Sequence, residues 1–319
     1  MTGRLDWRTD GAQWPHRAHS RVVEAGGCYW HVQVHPQVHP QVHPQIGVQV
    51  RPVGPVLWLL HGTGASGHSW RALVPLLSGW ATLVVPDLPG HGFSAALTPA
   101  RSPSVASMGG MAQALGALAD ALALPPALIV GHSAGAALAA CAVLDQRLPP
   151  PAQLVGINAA LLPFQGLAGQ VFGPMARLMA HAPLVPWLVA RSASRVAAVQ
   201  RLVEATGSQL DAEGLALYAR LMRSPDQVAG ALAMMAQWDL AGLWPRLPQL
   251  AAPLTLLVGS RDGTVPPAQS QQVCLHLPAA RRVVLDGLGH LAHEEAPVRV
   301  AELLAGLLRP ASRLSPPSF

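Results

Sequence analysis

Gly131-His132-Ser133-Ala134-Gly135 is the segment whose residue types and spacing most directly suggest chemistry. It fits the G-x-S-x-G nucleophile elbow, where a serine stands on a sharp strand-to-helix turn and flanking glycines relieve the crowding. The apolar run Ala127–Val130 precedes it and the alanine-rich run Ala134–Arg147 follows, which is the context the motif requires. A serine hydroxyl is a poor nucleophile without a base, and the base needs an acid to orient it. On such an elbow the chain order is serine, acid, histidine. Asp262 follows the apolar run Leu254–Val258, and His290 follows Arg282–Leu285 in Gly287-Leu288-Gly289-His290. The plainer roles are a turn-forming aspartate beside Gly263 and a capping histidine in a loop. His293 is the nearest rival to His290, but Glu294 and Glu295 beside it suggest a solvated helix start. Acyl transfer also needs donors for a developing oxyanion. His61-Gly62-Thr63-Gly64 follows the run Val56–Leu60, so the backbone N–H groups of Thr63 and Ala134 are the expected pair. Asp87-Leu88-Pro89-Gly90-His91-Gly92 follows the next run, either shaping the rim of the site or serving as an ordinary turn.

These residues need elements to position them. Strands are expected at Cys28–Val34, Val56–Leu60, Thr82–Val85, Ala127–Val130, Leu154–Ile157, Leu254–Val258 and Arg282–Leu285. Helices are expected at Trp70–Leu77, Ser107–Leu122, Ala134–Arg147, Pro267–Leu277 and Pro297–Leu308. Apolar strands alternating with helices predict an α/β fold with a mostly parallel sheet covered on both faces. Ser133, Asp262 and His290 would then share the carboxyl edge, where open α/β sheets place their sites. The rhythm stops between Ala159 and Pro245, which reads as a helical lid inserted between two strands. The expected organisation is an N-terminal extension (1–26), a core (27–158 and 246–310), a lid (159–245) and a C-terminal tail (311–319). The first 25 residues read as polar and loosely held. Val-His-Pro-Gln occurs three times from Val34 to Gln45, and proline at every fourth residue excludes a helix. On an extended backbone His35, His39 and His43 stand roughly 13 Å apart, too far to share a metal ion. A tandem expansion of a turn between two N-terminal strands is the better reading.

Composition narrows the function classes. Half of the 319 residues are apolar and 12% are charged, against roughly 25% in average globular proteins. Such a chain is not wholly disordered. All 21 basic residues are arginine, and the net charge of +5 is scattered rather than gathered into a patch. Nucleic acid is therefore not an expected partner. The longest clean apolar run, Ala134–Leu144, is shorter than the roughly 20 residues of a membrane span. Residues Met1–Arg21 carry charges and lack the apolar stretch of a secretory signal. Cys28, Cys141 and Cys274 form neither a disulfide framework nor a metal spacing, which favours a cytoplasmic protein without metal or cofactor. Arg177 is the one formal charge between Ala159 and Ala190. Such a cover over Ser133 would suit a bulky hydrophobic small molecule, or would simply pack the lid onto the sheet. Arg191 and Arg195, four residues apart, are expected on one helix face. With Trp238 they are the candidate substrate contacts, a solvated face being the plainer role of the arginines.

The chain resembles the α/β-hydrolase superfamily over about residues 27–310. The likeness rests on His61-Gly62, Asp87-Leu88-Pro89-Gly90-His91-Gly92, Gly131–Gly135, Asp262 and Gly289-His290. Serine at position 133 separates it from relatives with an aspartate nucleophile, the epoxide hydrolases and haloalkane dehalogenases. A narrower likeness is carried by Trp14-Pro15, Gly62-Thr63-Gly64-Ala65-Ser66, Leu162-Pro163-Phe164, Gly166-Leu167-Ala168-Gly169 and Thr206-Gly207-Ser208. Ser224-Pro225, Val228-Ala229-Gly230-Ala231-Leu232 and Trp238-Asp239-Leu240 add to it. These segments are similar to the BchO group, the magnesium-chelatase accessory proteins of bacteriochlorophyll synthesis. That resemblance implies a role near magnesium insertion into protoporphyrin, a contact with magnesium chelatase and a place at the periphery of the photosynthetic membrane. It also implies a tetrapyrrole ligand, whose propionates Arg191 and Arg195 would receive by bidentate pairing. The repeat departs from the group's pattern but lies far from these motifs.

Overall fold

The computed structural model describes residues 3–37, 54–97, 103–163, 179, 182, 184–193 and 195–308. The chain begins with β1 (Ser20–Ala25), β2 (Cys28–His35), β3 (Val56–Leu60), α1 (Val74–Leu77), β4 (Thr82–Pro86) and β5 (Ala95–Ala96). It continues with α2 (Met108–Leu122), β6 (Leu128–His132), α3 (Ala134–Leu144) and β7 (Gln153–Ile157). The inserted helices follow: α4 (Val185–Ala193), α5 (Val196–Ala205), α6 (Ala212–Met222), α7 (Pro225–Ala236) and α8 (Leu240–Leu243). β8 (Leu254–Gly259), α9 (Pro267–His276), β9 (Arg281–Leu285), α10 (Ala292–Glu295) and α11 (Pro297–Leu308) complete the described chain.

Among the described residues the strands form one sheet in the order β1-β2-β4-β3-β6-β7-β8-β9, with β5 beside β2. β3, β4 and β6 to β9 run parallel, and β1 and β2 pair antiparallel at one end. Alternate side chains of a strand point to opposite faces, and both faces of β3 are apolar. Trp58 and Leu60 join α2 and α3 in one core. Leu57 and Leu59 join α1 and α11 in the other. This is the expected α/β architecture, and parallel strands bring every carboxyl end to one edge.

The expected strands appear to within two residues at each end. Two helices differ. Trp70–Leu77 is instead a 3₁₀ turn over Gly67–Trp70 followed by the single turn α1. α3 stops at Leu144 because the chain turns through Gln146 in a left-handed conformation (φ 55°), and Arg147 N–H donates back to Ala142 O at 2.8 Å. The Val-His-Pro-Gln repeat beyond Gln37, the Phe164 and Gly166–Gly169 segment, Gly173, Pro174, Arg177, Pro183 and the tail after Leu308 lie outside the described residues.

The loosely held N-terminus is corrected. β1 pairs with β2 along its whole length, from Ser20 opposite Gln33 to Ala25 opposite Cys28. Leu5 and Trp14 are buried with Phe93 and with Leu217 and Leu221 of α6. The Trp14 ring meets Phe93 edge-on at 5.0 Å. These few apolar residues sit among polar ones without a regular period, so the sequence concealed the contact. Trp14→Ala is expected to cost about 3 kcal/mol, read as a lower urea midpoint with unchanged slope. A free arm would leave the midpoint where it was.

Candidate active site

The turn at Ser133 follows from crowding. Ser133 has φ 51° and ψ −118°, which L-residues rarely adopt. A Cβ on Gly131 would fall into the backbone of Ala136, and one on Gly135 into the carbonyl oxygens of Leu60 and His61. Glycine at both places lets β6, α3 and the loop after β3 meet at van der Waals distance. The bend is also pinned: Ser133 N–H donates to Ile157 O at 2.9 Å and Ala160 N–H to Ser133 O at 3.2 Å. The side chain remains half-buried at the mouth of the turn.

The loop after β3 packs directly on this serine. A Cβ on Gly62 would lie 3.1 Å from Ser133 Cβ. His61 holds the loop, donating from Nδ1 to Gly62 O and accepting Leu88 N–H at Nε2, each at 2.8 Å. Burial lowers the His61 pKa, which keeps Nε2 free to accept. Gly62, the residue before Thr63, thus packs on Ser133, and Ala134 follows the serine as the first residue of α3. The Ala134 N–H is the first of α3 and has no acceptor within the helix.

Asp262 and His290 are brought together from the ends of β8 and β9. His290 Nδ1 lies 3.0 Å from Asp262 Oδ1 and 2.9 Å from Oδ2, with both residues buried. Asp262 Oδ1 also accepts the N–H groups of Thr264 and Val265 at 2.8 Å. It is thus a turn-former and the partner of His290 at once. With Nδ1 donating to the carboxylate, Nε2 is left as the basic nitrogen. Among the described residues Ser133 Oγ makes no hydrogen bond to His290; such bonds are often long before substrate binds. The His290 ring lies 4.7 Å from that of His132, the residue before Ser133.

Four positioning residues gave no signal in the sequence. Asn158, at the end of β7 with φ 47°, donates from Nδ2 to Gly289 O (2.8 Å) and His290 O (2.6 Å). Its Oδ1 accepts Gly259 N–H at 2.7 Å, so one amide ties β7, β8 and the histidine loop. His132 Nε2 lies 2.9 Å from His290 O. Gln227 of α7 accepts Gly92 N–H (2.6 Å) and donates to Gly64 O (3.0 Å), fastening the insertion to two loops. Arg71 pairs with Glu294 at 2.7 Å and with Asp211 of the insertion at 2.6 Å. Asp87 is wholly buried, bonded to His31 Nδ1 (2.8 Å), Gly67 N (2.7 Å) and Phe93 N (2.9 Å). It organises its own loop. Burial opposes its ionisation, yet His31, His61 and the Phe93 N–H bring its pKa to about 2.

Two expectations change. His293 is buried rather than solvated, between Trp70 and His132 with ring centroids 4.5 Å away on each side. Burial pushes its pKa to about 3, so it is neutral. The reason is Glu294, drawn inward by Arg71 and the Tyr218 hydroxyl. Arg191 and Arg195 do not share a helix face: α4 ends at Ala193, and Arg195 is the N-cap residue of α5. Both are exposed, with the Arg191 guanidinium 5.8 Å over Trp187. Trp238 is half-buried against the larger core. Among the described residues no cluster of His, Cys, Asp or Glu is placed to hold a metal ion, and no helix is long and apolar enough to cross a membrane.

Residues 55–297 match the α/β-hydrolase fold family, and the chain belongs to it. It is 40% identical over 305 residues to the magnesium-chelatase 30 kDa subunit of Rhodobacter capsulatus, covering 95% of this chain and 98% of that protein. It is 31% identical over 270 residues to a pimeloyl-[acyl-carrier protein] methyl ester esterase of Aromatoleum aromaticum, covering 80% and 98%. Among solved structures, a thermophilic esterase from Thermogutta terrifontis superposes with a TM-score of 0.66 at 22% identity, covering 91% and 98%. An α/β-hydrolase fold protein from Burkholderia ambifaria gives 0.69 at 21%, covering 89% and 96%.

Glu294 makes the site's surroundings sensitive to pH. Burial raises its pKa to about 7 against the pull of Arg71 and Tyr218. A carboxyl with a higher pKa folded than unfolded stabilises the fold below its unfolded value, near 4.5. That contribution fades as pH rises through the folded value. Raising the pH from about 5 to about 8 should therefore lower the thermal unfolding midpoint by a few degrees. Glu294→Gln should flatten this slope in scanning calorimetry.

Proposed function

We propose that this chain is a serine hydrolase acting on a carboxyl ester or related acyl bond, working beside magnesium chelation in bacteriochlorophyll synthesis. The observation that carries the reading is the two-point hold of Asp262 on His290 Nδ1 at the sheet edge that bears the strained Ser133. Ser133 is the nucleophile. His290 Nε2 takes its proton as Oγ attacks the carbonyl carbon, and Asp262 stabilises the imidazolium. The Thr63 and Ala134 N–H groups receive the developing oxyanion. Collapse breaks the bond to the leaving alcohol, which takes the proton from His290. Water, deprotonated by His290, then cleaves the acyl-enzyme and restores Ser133.

Residues 159–245 act as a lid on a core of 27–158 and 246–310. Thr63 Oγ1 donates to Met234 Sδ at 3.4 Å, so α7 of the insertion lies over the proposed oxyanion loop. The apolar Met234 against that loop supports a hydrophobic small-molecule substrate. The proposed substrate contacts are Trp238 and, from two different helix ends, the exposed Arg191 and Arg195. The protein works in the cytoplasm at the periphery of the photosynthetic membrane, in contact with magnesium chelatase, and needs no cofactor.

A second reading is favoured by one finding, the 40% identity across nearly the whole length of a chelatase subunit. In it the chain binds a tetrapyrrole as a non-catalytic accessory. Two measurements separate the readings. A fluorophosphonate probe should label Ser133, with labelling lost in Ser133→Ala and reduced at least about 1,000-fold in His290→Ala; no labelling of the folded protein rejects the hydrolase. A deletion strain carrying Ser133→Ala should fail to restore pigment synthesis, and full restoration favours the accessory role.

A further inference from the structure

The turn joining α5 to α6 lies between the acid and base loops. Thr206 O accepts two N–H groups, from Gly263 at 3.0 Å and from His290 at 3.2 Å. One inserted carbonyl thus bridges the backbone next to Asp262 and the backbone of His290. The fit is tight: a Cβ on Gly207 (φ 81°) would fall into Arg261 O, and one on Gly289 into the carbonyl group of Gly207. Ser208, wholly buried, accepts Leu291 N–H at its Oγ at 2.8 Å. The turn is braced from within by Thr206 Oγ1 donating to Val203 O (2.6 Å) and Gly207 N–H donating to Glu204 O (2.9 Å). Glu295 extends the contact, accepting Gly289 N–H (2.8 Å) and Gln209 N–H (3.1 Å).

We propose that Thr206-Gly207-Ser208 positions the Asp262–His290 pair, so that the pair is assembled only while the insertion is docked on the core. The inference rests on the serine-hydrolase reading for its catalytic meaning, though not for its geometry. Buried N–H groups need acceptors. The N–H groups of Gly263, His290 and Leu291 find theirs on the insertion rather than on the sheet. Undocking the insertion takes these acceptors away and leaves the histidine loop held from the core by Asn158 and His132. Cover and catalytic pair are then coupled: a ligand that stabilises the docked insertion also stabilises the orientation of His290.

The test uses full-length Ser208→Ala, Ser208→Thr and Gly207→Ala. Two readouts are the pH profile of fluorophosphonate labelling and the downfield proton resonance of the His290 Nδ1–H bond to Asp262. Ser208→Ala should slow labelling about tenfold and broaden or shift the resonance. Ser208→Thr, which keeps the hydroxyl, should recover to within about threefold. Gly207→Ala should abolish the resonance; if that variant does not fold, the serine pair carries the test. Folded Ser208→Ala with wild-type labelling and an unmoved resonance overturns the proposal. A wild-type protein that shows the resonance but takes no label, with the resonance disturbed in Ser208→Ala, upholds the positioning role and rejects the hydrolase reading.

Discussion

The left-handed backbone of Ser133 is held only because everything around it is packed without room to relax. Such a conformation costs on the order of 1–3 kcal/mol and persists where its surroundings over-determine it. Gly131 and Gly135 admit the approach of neighbouring backbone, and hydrogen bonds with Ile157 and Ala160, at and beyond the carboxyl end of β7, fix both sides of the bend. The parallel sheet has to bring β3, β6 and β7 to one edge for this to occur. The strained serine therefore depends on the two apolar cores that hold the sheet between its helices.

Around that edge, polar side chains replace the pairing that strands no longer supply. Asn158, His61, Gln227 and Asp87 each satisfy loop backbone groups from two or more segments. Removing one partner from such a network leaves buried groups unsatisfied, which costs more than the bond contributes. The low charge content takes on meaning here. Buried Arg71 pairs with Glu294 and also with the exposed Asp211, and so joins the insertion to the histidine loop.

Much of this was legible. The strands and most helices stood where apolar periodicity placed them, and Ser133, Asp262 and His290 were named by motif, chain order and position after apolar runs. The misreadings share a cause. His293 beside Glu294 and Glu295 looks solvated because two carboxyls normally are. Its burial depends on Arg71, which lies 223 residues from Glu294. The N-terminal arm looked loose because Leu5 and Trp14 have no period, yet Phe93 and α6 receive them. The Arg191 and Arg195 spacing suits one helix, and a break between α4 and α5 separates them.

The α/β layering, the elbow and the chain order of the candidate acid and base are written in the residues alone. Each of these follows from local chemistry: strand and helix periods, the absence of a Cβ, the chain order of three side chains. What holds those side chains in register emerges only from the packing of segments distant in the chain. Asn158 reaches His290 across 132 residues, and Thr206 meets both Gly263 and His290 through a backbone carbonyl that every residue possesses. A carbonyl has no signature in sequence. Its role is set by where the insertion docks.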